Sequence, residues 1–237
     1  MPAVQAVTQI TLYQDLANFS YGDGGEFNAV PDADLLSLNP TLMGYASTTV
    51  NLTAGAPNFQ TFCVETGESF NPGTTYNVSI SDEVRYDGGQ FPAGEPITLG
   101  TAWLYSQFTA GTLGGYDYHD SGRTASAGNL QQAIWYLQGE ETSLVNGVAD
   151  GTAFYNAALS ALGGTVNNAA NGAYGVIVLN LWVPNPDGSN GAGAQDQLMV
   201  VPQLSTVPEP GAGSFGLLVL LLFGAYKVSD LGRGQKG

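Results

Sequence analysis

The hydrophobic pattern divides the chain into β-like thirds around a helical middle. Thr48 to Leu52 and Thr75 to Ile80 alternate apolar and polar positions, as half-buried strands do. Phe59 to Glu65 forms another strand candidate, and Tyr174 to Trp182 is a nearly unbroken apolar run that predicts a buried strand. Gln197 to Val201 predicts the last strand, after a loop over Asn185 to Gln195. Gly-rich stretches at Tyr21–Gly25 and Tyr86–Phe91 read as turns. From Pro96 the period lengthens. Leu99–Phe108, Ala125–Gln138 and Thr152–Leu162 predict three helices, the first two joined by a loop over Gly111–Ser121. The expected fold is therefore mainly β, a sandwich or barrel-like domain over residues 1–205, with a helical insertion at about 97–162.

The second of these helices is the most regular. Leu130, Ile134 and Leu137 share one face, and Trp135 adds a large anchor beside them. Gln131 sits at the edge of that face.

Composition narrows the function. The chain has 237 residues, 43% of them hydrophobic, so it is long enough and apolar enough for a sizeable core. Its 33 glycines, 11% charged and 11% aromatic residues suit a turn-rich extracytoplasmic β protein. The net charge is -15, and Arg85 and Arg123 are the only basic residues before Lys227, which excludes nucleic acid as a partner. One cysteine, Cys63, excludes an internal disulfide, and one histidine, His119, argues against a zinc site. Asn185, Asp187, Ser189 and Asp196 have a loose calcium-loop spacing, but Asn190 stands where such a loop needs glycine, so a polar turn is expected. No metal or cofactor is expected. No Ser-His-Asp elbow, phosphate loop or dinucleotide fingerprint is present, and the expectation is of a protein that is not an enzyme.

Two motifs resemble known families. Phe62-Cys63, followed later by Leu130-Gln131-x-x-Ile134-Trp135, resembles the Cys–Gln thioester domains of bacterial surface adhesins, over about Phe59 to Gln138. The resemblance implies an internal bond between the Cys63 sulfur and the Gln131 side-chain carbonyl, supported by Phe62, Leu130, Ile134 and Trp135. A nucleophile on an extracellular target would open that bond and become attached through Gln131. The plainer alternatives are a small buried cysteine and an ordinary helix glutamine.

The C-terminus differs in kind. Val207-Pro208-Glu209-Pro210 precedes an uncharged apolar run of 16 residues, Gly211 to Tyr226, and then Lys227, Arg233 and Lys236. This order resembles the PEP-CTERM sorting signal of Gram-negative bacteria. It implies a membrane helix at about 211–226, a cytoplasmic basic end, and processing by an exosortase-type machinery. Met1 to Val7 lacks the basic start and apolar core of a secretory leader, so the expectation of export rests on residues 206–237. The expected protein is membrane-anchored until processed, then held at the cell surface or in extracellular matrix. Two other functions compete: a structural matrix protein in which Cys63 is inert, and a secreted polysaccharide hydrolase using paired carboxylates.

Overall fold

The computed structural model describes residues 8–14, 20–22, 24–38, 58–85 and 94–201. The first unit of the chain, Met1–Pro202, holds all of them. Its elements in order are β1 (Gln9–Tyr13), β2 (Ser20–Tyr21), β3 (Gly24–Gly25), β4 (Phe27–Pro31), α1 (Ala33–Leu38), β5 (Phe59–Thr61), β6 (Thr74–Ser81), β7 (Glu83–Val84) and β8 (Glu95–Pro96). Then come α2 (Leu99–Thr109), α3 (Asp120–Leu137), β9 (Val145–Asn146), β10 (Ala149–Asp150), α4 (Thr152–Leu162), β11 (Val176–Pro184) and β12 (Asn190–Val200).

Six strands form one antiparallel sheet in the order β12-β11-β6-β1-β4-β5, curled into a half-barrel. The fold is mainly β with a few helices: α1 follows β4, and α2, α3 and α4 lie between β8 and β11, with the short pair β9–β10 between α3 and α4. Strand β11 shows why the apolar run is continuous. Val176 and Val178 face the core built with α2, α3 and α4, while Ile177, Leu179 and Leu181 face a second core with Ile10, Leu12 and Tyr76. A strand covered on both faces favours apolar residues at nearly every position, and the one buried polar side chain here, Asn180, hydrogen-bonds to Asp196.

Past β5 the chain turns back onto the far edge of the sheet. Leu198 N–H donates to Phe62 O and Val64 N–H to Asp196 O, so Cys63 bridges Gln197 at this seam. The Thr61 hydroxyl also donates to Leu198 O at 2.7 Å. Cys63 is thereby held by backbone hydrogen bonds on both sides rather than by a free loop.

Several boundaries differ from the sequence expectation, among them the strand over Phe59–Glu65, which ends at Thr61 as β5. Helix α3 starts at Asp120, not Ala125, because Arg123 is anchored to Glu26 and Gly122 gives room to Asp117, whose carboxylate oxygen lies 2.0 Å from where a Cβ would stand. Glycine and serine in that turn hide the helix from a propensity reading. The expected loop over Asn185–Gln195 is half strand, since β12 begins at Asn190. Its Gly193 leaves space for the Arg85 guanidinium. The last apolar strand runs Val176–Pro184, and Tyr174 sits before it in a 3-10 turn with φ 59°. Among the described residues no helix is long and apolar enough to cross a membrane. The expected strand at Thr48–Leu52, the turn at Tyr86–Phe91, the membrane helix at about 211–226, the motif Val207–Pro210 and the basic residues Lys227, Arg233 and Lys236 lie outside the described residues.

Candidate functional site

Helix α3 presents two adjoining faces. Leu130, Ile134 and Leu137 are buried with Phe62 in the core beneath the helices. Gln131 and Trp135 lie on the flank of that face and line a cleft of about 720 Å³ with Tyr21, Phe27, Glu68, Phe70 and Glu141 among its walls. Leu130, Ile134 and Phe62 therefore hold the helix and the Cys63 segment in place from behind, while Trp135 stands beside Gln131 on the open side.

The Gln131 carboxamide is fixed at both ends. Its Nε2 donates to the backbone carbonyl of Cys63 at 2.7 Å, and its Oε1 accepts from Gly25 N–H at 3.3 Å. The Cys63 thiol lies 3.4 Å from the same oxygen. Both residues are buried, Gln131 being 1% exposed and Cys63 fully enclosed. A buried amide with every group partnered has one orientation, and here that orientation turns its carbonyl toward the sulfur.

Burial pushes the Cys63 thiol far up from its ordinary value. The Trp135 side chain alongside opposes this in part, and Glu65 and Glu140 add to it. Such surroundings disfavour a lasting thiolate and suit a neutral sulfur, whether thiol or thioester.

The hairpin β2–β3 roofs the site, and its glycines permit the contact. A Cβ on Gly24 would lie 2.5 Å from Gln131 Cγ and 2.6 Å from the Trp135 ring, and one on Gly128 would lie 2.6 Å from the Tyr21 ring. Gly25 has φ 105°, a backbone that side chains rarely adopt. Next in the chain, Glu26 is buried and receives Arg123 through Nε at 2.8 Å and Nη2 at 2.8 Å, with the Tyr116 hydroxyl donating to it as well. Burial raises the Glu26 carboxyl above its usual range, against the opposing pull of Arg123 and Tyr116. Sequence reasoning missed this roof by treating Tyr21–Gly25 as a turn. The signal was the glycine pair, one more glycine than a tight turn requires, and an acidic residue directly after it.

A second group lies two residues beyond Cys63. Glu65, Glu68 and Asp196 bring carboxylate oxygens within 4.8 Å of one another, a spacing open to a hard cation. Asp196 already accepts from Arg85 N–H at 2.7 Å, Asn180 Nδ2 at 2.8 Å and Leu181 N–H at 3.0 Å, and the Arg85 guanidinium lies 3.6 Å from Glu68. Burial, and then mutual repulsion, push Glu65 up to about 10; burial pushes Asp196 up to about 7. The other acidic set, at the β11–β12 connection, does not converge. Asp187 closes a turn onto Ser189, while Asp196 is buried on β12. His119 is exposed at the start of α3.

No protein-family model, curated protein or solved structure matches this chain.

Proposed function

We propose that this is an exported surface protein whose Cys63 and Gln131 join in an internal thioester, which a nucleophile on extracellular material opens to attach the protein covalently. The observation that carries the reading is the placement of the Cys63 thiol 3.4 Å from the Gln131 carbonyl oxygen, with the carboxamide pinned by Gly25 and by the backbone of Cys63. An amide is a weak electrophile, and fixing it against the sulfur supplies the orientation that the displacement needs. The cleft that reaches Gln131 and Trp135 gives a target its route to the acyl carbon. The protein acts once per bond and not by turnover, which is why it is not classed as an enzyme.

The C-terminal Pro-Glu-Pro motif, apolar run and basic end support export and exosortase-type processing, with membrane anchoring before cleavage. A chain without lysine before Lys227 also spares such a bond from side-chain amines of its own surface.

Intact mass tests the reading. The purified full chain should be one ammonia lighter than its sequence, with Cys63 resistant to alkylation after denaturation in acid. Methylamine should restore a freely alkylated Cys63 and add to Gln131. Full sequence mass with an alkylatable Cys63 would leave the structural matrix reading in its place.

A further inference from the structure

We propose that the backbone N–H of Gly25 is the oxyanion donor of this site, activating the Gln131 carbonyl both when the thioester forms and when a target opens it. The assignment rests on the thioester reading above and adds a catalytic group that neither motif contains.

Among the described residues two donors reach Gln131 Oε1: Gly25 N–H at 3.3 Å and the Cys63 thiol at 3.4 Å. The second is consumed by the reaction. The thiol sulfur bonds to the carboxamide carbon while the carbonyl π pair moves onto Oε1. The tetrahedral centre then collapses, the C–N bond breaks, and the thiol proton leaves on that nitrogen as ammonia. Through this sequence Gly25 alone continues to face Oε1, where negative charge develops. When an amine opens the bond, nitrogen attacks the same carbon, charge returns to Oε1, the C–S bond breaks, and an amine proton restores the thiol. One donor therefore serves both directions.

The distribution of hydrogen bonds decides which contact accelerates the step. The bond from Nε2 to Cys63 O, at 2.7 Å, is strong in the resting amide and orients it. The longer bond from Gly25 is weak in the resting amide and strengthens as Oε1 becomes anionic, which is the condition for catalysis. Gln131 is 1% exposed and Cys63 fully buried, so little water competes with this donor.

The hairpin is built to hold that N–H in place. Tyr21 seats on Gly128, Gly24 lies flat on Gln131 and Trp135, and Glu26 is locked by Arg123. These fastenings all come from helix α3, the element that carries Gln131, so donor and acceptor move as one body. A Cβ at Gly24 would lift the strand from Gln131 and take the donor with it.

The test removes the donor and keeps the shape. The full chain is prepared by cell-free synthesis with the Gly25 amide replaced by an ester, using glycolate at position 25, and is refolded beside the wild type. Ammonia loss by intact mass should be about 10²–10³-fold slower in the ester chain, and methylamine opening slower by a similar factor. Formation and opening at the wild-type rate would overturn the assignment. A second measurement needs no variant. With glutamine ¹³C-labelled at its side-chain carbonyl, the band of the native thioester should lie below that of an unbonded thioester in apolar solvent, and coincidence of the two would also overturn it. If the wild type retains its full sequence mass, the thioester reading itself falls. If the wild type loses ammonia and the ester chain keeps pace, only the role of Gly25 falls.

Discussion

The Cys63 thiol and the Gln131 side-chain carbonyl, 68 positions apart in the chain, lie 3.4 Å apart in a buried site. A bond between them would close a long loop. By the loop-closure argument used for disulfides, such a link stabilises the fold by about 3–5 kcal/mol. Opening it with methylamine should therefore lower Tm by roughly 10 °C at about 2–4 °C per kcal/mol. Differential scanning calorimetry of the two forms checks this. Cys63→Ala and Gln131→Ala should each show the lower Tm before treatment and no further change after it.

The Glu26–Arg123 pair is a separate test of the roof. Arg123→Met leaves a buried carboxylate without its cation and should destabilise the domain by about 3–5 kcal/mol. Adding Glu26→Gln removes the stranded charge and should recover part of that loss. Urea unfolding measures both. A change below about 1 kcal/mol for Arg123→Met would mean that the pair behaves like an exposed one.

Stability should fall as pH rises, because of Glu65 and Asp196. Their folded values, about 10 and about 7, lie above the ordinary carboxylate range, so the folded state holds protons that the unfolded state has released. The stabilisation is complete below about pH 4 for these two groups alone and is lost as pH rises through their folded values. Tm should thus decline from about pH 5 to about pH 9. Glu65→Gln, which keeps the shape and cannot ionise, should flatten the upper part of the profile. A wild-type Tm that climbs over this interval would contradict the assignment.

The tail gives the last prediction. Deleting Phe215 to Gly237 should release the protein from membranes in a soluble, folded form, read by fractionation and circular dichroism. Aggregation of the truncated chain, with loss of its CD spectrum, would place the apolar run in the core and remove the sorting interpretation.

Local physics explains what was legible in the sequence. The period of Leu130, Ile134 and Leu137 names a helix and its buried face, because each apolar side chain must leave water. The run from Val176 to Leu181, broken only by Asn180, names a strand covered on both sides for the same reason. Cys63 and Gln131 are candidates through the resemblance of Phe62-Cys63 and Leu130-Gln131-x-x-Ile134-Trp135 to thioester domains, which pair a thiol with a carboxamide. Gln131 stands next to the apolar stripe, so its burial was within reach of the pattern, but its partners were not.

The tertiary structure decided everything that depends on contacts distant in sequence. Whether Cys63 meets Gln131 depends on how the segment after β5 closes on β12, through Leu198 N–H to Phe62 O and Val64 N–H to Asp196 O. No local preference encodes that register. The start of α3 at Asp120 follows from Arg123 reaching Glu26, 97 positions away, and overrides the poor helix propensity of Gly122 and Gly128. Gly24 and Gly25 show the limit most plainly. In sequence they signal only freedom from a side chain. In the fold Gly24 uses that freedom for a close approach to Gln131, where no Cβ fits between the hairpin and the helix, and Gly25 uses it to adopt φ 105°.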